Sequence, residues 1–170
     1  FLLFISAVIK AVDEYQSLLR IAVATAGNDH RLGAAEAPPA IVSIFLGDEL
    51  TEIINSIINN KQYKGTKKSN LEIGVHALPE IPKETTDRNR TSPFAFTGNK
   101  FEFRMVGSSQ SIAITNTMLN TMVAHVLKGF ADKLENSTDS NCKESVSALI
   151  KETLEKYKGF SQRQIDRLNK

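Results

Sequence analysis

Apolar residues recur at helical spacing at the start of the chain, and polar residues such as Lys10 and Glu14 fill the positions between them. This pattern is typical of an amphipathic helix with one buried face. Gly27 and Asn28 can end it, so we predict a helix over residues 1 to about 25. Because it starts without a capping residue, we expect further sequence upstream. The apolar positions are Leu2, Ile5, Ile9, Val12, Leu18 and Leu19.

Three later segments also predict helices. The segment DELTEIINSIINN places its leucine and isoleucines on one helical face, with Asp48 as the N-cap. Ser108 or Ser109 can cap a long helix that reaches about Leu134, and Asn141 can cap a final one. The core candidates on the long helix are Ile112, Leu119, Val123, Val126, Leu127 and Phe130.

Short runs of β-branched and aromatic residues predict strands. AIVSIFL (40–46) is typical of a buried strand, and LEIGV (71–75) is a second candidate. PFAF and KFEFRM lie on either side of Thr97-Gly98-Asn99, a sequence that favours a hairpin turn between two strands. The pattern therefore predicts strands and helices in one chain.

Composition limits the classes of protein to which the chain can belong. Its 170 residues suit one domain, and 41% hydrophobic with 24% charged residues is typical of a soluble globular protein. The formal net charge of +2 is low for a nucleic-acid binder. Cys142 is the sole cysteine, which favours a reducing compartment, and no apolar run reaches the ~18 residues of a membrane span. We expect neither secretion, nor membrane insertion, nor strong DNA binding.

The strand KFEFRM carries the clearest candidate chemistry. Alternation puts Phe101, Phe103 and Met105 on one face, and Glu102 with Arg104 on the other. Two residues along a strand span about 7 Å, which is too far for a tight ion pair by default. If the phenylalanines face the core, the charged face meets either water or a ligand. From the residues alone, a solvated sheet face is favoured.

Further arginines lie elsewhere in the chain. Arg88 and Arg90 are two residues apart, and paired guanidinium groups suit phosphate or carboxylate, although Asp87 could instead neutralise one of them. Arg31 precedes a loop of small residues in which Glu36 could close over a reaction, or could simply be solvated.

Other signals of a reaction are missing. His30, His76 and His125 show no metal-ligand spacing, and no glycine-rich phosphate-binding motif occurs. Residue spacing thus indicates several arginines and two glutamates of interest, without indicating a reaction.

Two separated segments make the sequence familiar. NDHRLGAAEAPPAIVSIFLG and DRNRTSPFAFTGNKFEFRMVGSSQSIA resemble the catalytic region of glutamine synthetases, above all the long bacterial type III enzymes. The resemblance covers most of positions 1–135 and includes an insertion at about 48–84. The tail, 136–170, resembles the family's helical C-terminal part. The resemblance implies an α+β fold, namely a C-terminal fragment of the catalytic domain in which a few antiparallel strands are packed by long helices.

The resemblance also implies roles for five residues. Arg31 and Arg104 match arginines that hold the substrate glutamate. Glu36 matches the glutamate of a flap that closes the glutamate entrance and helps to deprotonate ammonium. Arg90 matches an arginine of the phosphoryl-transfer site, and Glu102 matches a metal ligand.

The implied function is ATP-dependent ligation of ammonia to the γ-carboxylate of L-glutamate through γ-glutamyl phosphate, with Mg²⁺ or Mn²⁺. The family resemblance further implies a cytoplasmic homo-oligomeric ring. We expect this fragment to be inactive alone, because the family's other metal ligands would precede Phe1. The alternative is a non-catalytic helical interaction or oligomerisation module derived from the family. A further arginine of the shorter enzymes is replaced here by Ala95.

Overall fold

A computed structural model describes residues 1–35, 37–63, 65, 70–71, 81–82, 92–135 and 141–157. These residues form helices and strands together, so the predicted α+β class is confirmed. The helices are α1 (Leu2–Ala22), α2 (Ala26–Arg31), α3 (Asp48–Ile58), α4 (Ile112–Leu134) and α5 (Cys142–Tyr157). The strands are β1 (Ile44–Phe45), β2 (Asn70–Leu71), β3 (Ile81–Pro82), β4 (Phe94–Phe96) and β5 (Phe101–Phe103).

The predicted hairpin is present as β4 and β5, which pair in antiparallel fashion with Ala95 opposite Glu102. Gly98 has a φ of +98°, a conformation that glycine adopts at little cost. On its other side β4 pairs with β1 in parallel, with Ile44 opposite Phe94, to give the order β1-β4-β5. A parallel pairing needs a long crossover, and its partners are not evident from local sequence. The strands β2 and β3 form a separate antiparallel pair.

Helix α1 is central to packing because it contacts both α4 and α5. Its small residues Ala7 and Ala11 are completely buried, which lets α4 approach closely and bury Val126 and Phe130. Another part of α1 buries Ile5 and Ile9 against α3 and α5. Burying one such large aliphatic or aromatic side chain contributes about 1.5–3 kcal/mol, so this helix organises the core.

The sequence predicted the positions of α3 and α4 correctly, but it predicted the wrong N-cap residue for each of them. Gly47, with a φ of +80°, is the N-cap of α3, and Asp48 is already the first helical residue. The N-cap of α4 is Ser111 rather than Ser108 or Ser109, because its hydroxyl accepts a hydrogen bond from Ala113 N at 3.2 Å. Ile112, predicted in the core, is 64% exposed because it is the first residue of α4, at the end of the helix where fewer residues cover it.

The first helix ends at Ala22, earlier than predicted, and a separate helix follows where a loop was expected. Thr25 has extended backbone angles, and its hydroxyl accepts a hydrogen bond from Asn28 N at 3.3 Å, which caps α2. Arg31 is consequently the last residue of a helix rather than part of a loop.

Most of the predicted strand 71–75 lies outside the described residues, as do most of 136–141 and everything after Tyr157. In the described part of the chain, none of the helices combines the length and apolar character required to cross a bilayer.

Candidate functional site

The two faces of β5 differ as the alternation predicts. Phe101 stacks on Phe94 with ring centroids 4.9 Å apart, and Phe103 meets the same ring edge-on at 5.9 Å. Met105, the next residue whose side chain lies on the same face as Phe101 and Phe103, is completely buried. Since these side chains point to the core, Glu102 and Arg104 project from the opposite face.

Glu102 and Arg104 form an ion pair, which the expected separation along the strand did not predict. Arg104 Nη2 and Nε lie 3.1 and 3.3 Å from Glu102 Oε2. The long arginine side chain bridges the separation by lying back along the strand. On the other carboxylate oxygen, Lys100 Nζ approaches Oε1 to 3.3 Å. The Arg104 side chain is 13% exposed and that of Glu102 37%, so the face is accessible to a ligand.

These cations determine the charge of Glu102. The hydrogen bond from Arg104 lowers the pKa of Glu102, burial opposes this, and Lys100 lowers the pKa further. The net effect is a pKa below the ordinary value, so Glu102 is a carboxylate at neutral pH. An ionised carboxylate is the state that can bind a cation.

Arg31 reaches this region from α2. Its Nε donates to Asn28 Oδ1 at 2.9 Å, and its Nη2 donates to the carbonyl oxygen of Met105 at 3.0 Å. The backbone of Arg104, in turn, donates to the carbonyl of Pro93 at 2.8 Å. The structure therefore brings Arg31 against the residue that directly follows Arg104, although the two arginines are far apart in sequence.

Sequence reasoning missed Asn28 as a site residue and treated it only as a signal for the end of a helix. Asn28 is 4% exposed, and its Nδ2 donates to the carbonyls of Val23 and Met105, each at 2.8 Å. Nearby, Gln110 Nε2 donates to the same Val23 carbonyl at 3.3 Å, and its Oε1 accepts from Gly107 N at 2.8 Å. No local pattern distinguishes such a buried amide from a solvated one.

The remaining predicted residues, Glu36 and Arg90, lie outside the described residues, as does Arg88. Of the predicted set, the structure pairs Glu102 with Arg104 and places the Arg31 guanidinium on the carbonyl oxygen of Met105, the residue after Arg104.

The described residues do not by themselves suit a divalent metal. Among them, no group of three or more His, Cys, Asp or Glu side chains is placed to hold an ion. Glu102 is a single carboxylate, and its oxygens contact Arg104 and Lys100. A divalent ion needs several oxygen ligands, so further ligands would have to come from outside this set.

The opposite face of the hairpin borders an apolar groove of about 670 Å³ between the start of α1, β4–β5 and the first turns of α4. Phe1 and Phe4 are 75% and 51% exposed at its edge. Thr115 lines the groove, and its buried Oγ1 finds no hydrogen-bond partner in the described part of the chain. Large exposed apolar areas mark binding surfaces more often than they mark free protein surface.

No family model matches the chain. It is nevertheless 51% identical over 155 residues to the type-3 glutamine synthetase of Dictyostelium discoideum, covering 91% of this chain and 21% of that protein. It is 42% identical over 159 residues to the glutamine synthetase of Bacteroides fragilis, covering 91% and 22%. It is 46% identical over 161 residues to the glutamine synthetase of Butyrivibrio fibrisolvens, covering 93% and 22%. The predicted resemblance is confirmed, and the chain spans about a fifth of the length of these relatives.

Proposed function

Because this chain belongs to the glutamine synthetase family over nine-tenths of its length, we propose that it supplies part of a site that joins ammonia to L-glutamate at the expense of ATP. The γ-carboxylate of glutamate is first phosphorylated, and ammonia then displaces phosphate from the acyl phosphate. The observation that carries the proposal is the convergence of Arg31 on the segment that follows Arg104, beside an ionised Glu102.

Arg31 and Arg104 hold the carboxylate groups of glutamate. A guanidinium group offers forked N–H donors that match the two oxygens of a carboxylate. Arg104 already donates through Nε and Nη2 to a carboxylate, in this case to the single oxygen Oε2 of Glu102. We expect substrate to compete with Glu102 for this arginine, which makes the ion pair a resting state of the binding site.

The other proposed roles depend on residues beyond the described ones. Arg90 stabilises the negative charge that develops on the transferred phosphoryl group, and Glu36 closes the glutamate entrance and receives a proton from ammonium. Glu102 would supply one oxygen ligand to a bound Mg²⁺ or Mn²⁺, and the other ligands would come from outside the described residues.

The length of the relatives bears on how this site is completed. Since the chain spans about a fifth of them, we propose that it is inactive alone and acts as part of a longer cytoplasmic polypeptide that assembles into a homo-oligomeric ring.

The apolar groove favours a second candidate function. The exposed Phe1 and Phe4 beside it are typical of a surface that another polypeptide covers. On this alternative the chain is a non-catalytic interaction or oligomerisation module derived from the same family.

A γ-glutamyl-hydroxamate assay on the complete gene product that contains these residues separates the two candidates. We expect ATP-dependent activity, and we expect Arg104→Ala to lower kcat/KM for glutamate by about 30-fold or more, because truncating one partner of a largely buried, hydrogen-bonded charge costs at least about 2 kcal/mol. The KM for ATP should stay within about twofold of wild type. The 170-residue chain, assayed beside it, should be inactive.

Lys128→Ala is the matched control, since it removes a cation from an exposed helical ion pair with Asp132. This variant should leave kcat/KM for glutamate and KM for ATP unchanged. A complete gene product without synthetase activity would favour the interaction module, and equal loss of glutamate and ATP use in Arg104→Ala would contradict the role of Arg104.

A further inference from the structure

Asn28 connects three parts of the molecule through one buried amide. Its Nδ2 donates to Val23 O, just beyond α1, and to Met105 O, just beyond β5. Its Oδ1 accepts from Arg31 Nε on its own helix. The amide therefore joins the end of α1, the side chain of Arg31 and a segment 77 residues away in sequence.

The partners require an asparagine at this position. Two backbone carbonyls need a donor of two hydrogens, and a guanidinium needs an acceptor, which together are the two ends of one amide. Aspartate would direct an acceptor at the carbonyls, and alanine would leave buried groups without partners. The packing is also tight, because a Cβ added at Gly107 would lie 3.2 Å from Asn28 Oδ1.

The contacts also determine how Arg31 is presented. Arg31 Nε donates to Asn28 and Nη2 donates to Met105 O, so two hydrogen bonds from different nitrogens fix the orientation of the guanidinium plane. Its Nη1 has no hydrogen bond within the residues that the structure describes. We infer that Asn28 is a positioning residue for glutamate binding, which holds the Arg31 guanidinium against the segment that follows Arg104.

This inference rests on the proposed function, because it assigns Asn28 a role in that same site. Asn28 acts through Arg31, so its removal should matter only while Arg31 is present to be oriented. Such dependence is the property that distinguishes a positioning residue from one that merely stabilises the fold.

Gln110 offers a matched control. Like Asn28 it ties Val23 O to the chain after β5, through Nε2 at one end and through the bond from Gly107 N to Oε1 at the other. Unlike Asn28 it makes no hydrogen bond to Arg31 within the described part of the chain. Its Nε2 also donates to Thr25 Oγ1 at 3.3 Å. Gln110→Ala therefore removes a comparable structural tie but none of the hydrogen bonds made by Arg31.

The experiment measures KM for glutamate, KM for ATP and kcat in the complete gene product. The variants are Asn28→Ala, Gln110→Ala, Arg31→Ala and the two double variants with Arg31→Ala. We expect Asn28→Ala to raise KM for glutamate about tenfold at an unchanged KM for ATP, since a hydrogen bond to a charged group is lost. In the Arg31→Ala background the same change should add less than twofold. Gln110→Ala should alter KM for glutamate less than twofold in either background.

Arg31→Lys tests the contact from the other side, should Asn28→Ala fail to fold. Lysine keeps the charge but lacks the Nε–H group that Asn28 binds, and we expect KM for glutamate to rise at least fivefold. A wild-type KM in Arg31→Lys would overturn the inference, as would an Asn28→Ala effect that is shared with ATP or persists without Arg31. In those cases an active wild type leaves the proposed function standing, whereas an inactive wild type overturns the proposed function and the role of Asn28 together.

Discussion

Alternate residues of the short strand β5 point to opposite faces of the sheet, and the two faces differ in their surroundings. On the polar face, Glu102 has cationic partners on both carboxylate oxygens. On the apolar face, the ring of Phe101 is packed against Phe94, but the adjoining groove is open and is bordered by the exposed ring of Phe4. Both oxygens of the carboxylate on the polar face therefore have cationic partners, whereas the apolar face is only partly covered.

Removing the ring at the centre of the apolar face should have the largest effect on stability. Phe94 is 3% exposed and contacts the rings of both Phe101 and Phe103. We expect Phe94→Ala to lower the free energy of unfolding by about 3–5 kcal/mol, because it removes a buried ring and leaves a cavity. Denaturant titration measures the change.

Phe4→Ala is the control for that variant, since it removes a ring that is 51% exposed at the edge of the same groove. It should cost less than about 1 kcal/mol, because about half of the residue is exposed to solvent already. Equal losses in the two variants would mean that the groove is filled by a part of the protein that covers Phe4.

Acid should weaken the molecule through two carboxylates of different surroundings. Burial raises the pKa of Glu14 on α1, but the hydrogen bonds from the hydroxyl of Tyr157 and the ammonium of Lys10 lower it by more. The net effect is a pKa below the ordinary value. Glu102 is likewise lowered. A carboxylate with a lowered folded-state pKa stabilises the fold above its unfolded pKa, and this contribution is lost as pH falls through the folded value.

The ordinary pKa of both groups is 4.5. We therefore expect the free energy of unfolding to decrease once the pH is lowered below about 4.5, and not to change with the titration of these two groups at neutral pH. Glu14→Gln should flatten this acid-induced loss more than Glu102→Gln, because Glu14 joins two core helices while Glu102 lies on a more exposed face. Thermal melts of the wild type and the two variants between pH 3 and 7 measure how steeply the melting temperature depends on pH. A larger effect at Glu102 would mean that the polar face is more buried in solution.

The smallest effect concerns the unpaired hydroxyl beside the groove. Thr115 is 2% exposed and its Oγ1 has no partner among the described residues. Thr115→Val keeps the shape and removes the hydroxyl, so we expect stability to be unchanged or raised by up to about 1 kcal/mol. The same denaturant titration suffices, and a loss above about 1 kcal/mol would show that the hydroxyl has a partner in solution.

Some features were predictable because they depend on neighbours in sequence. The hairpin turn at Gly98 and the opposite directions of Phe103 and Glu102 follow from local turn chemistry and strand alternation. Others depended on distant residues. The parallel pairing of β1 with β4, and the bond from Asn28 to Met105 O, join segments that local patterns treat independently.

The sequence by itself determined the mixture of helices and strands, the two faces of β5 and the relationship to glutamine synthetases, because periodicity and shared motifs are properties of the linear order. Only the tertiary structure decided that Arg31 meets the chain beside Arg104, that Glu102 pairs with Arg104, and that Asn28 is buried against the carbonyl oxygen of Met105. The physical reason is that a hydrogen bond or ion pair forms when packing brings its two atoms together, and packing is set by the whole core rather than by the residues that bond.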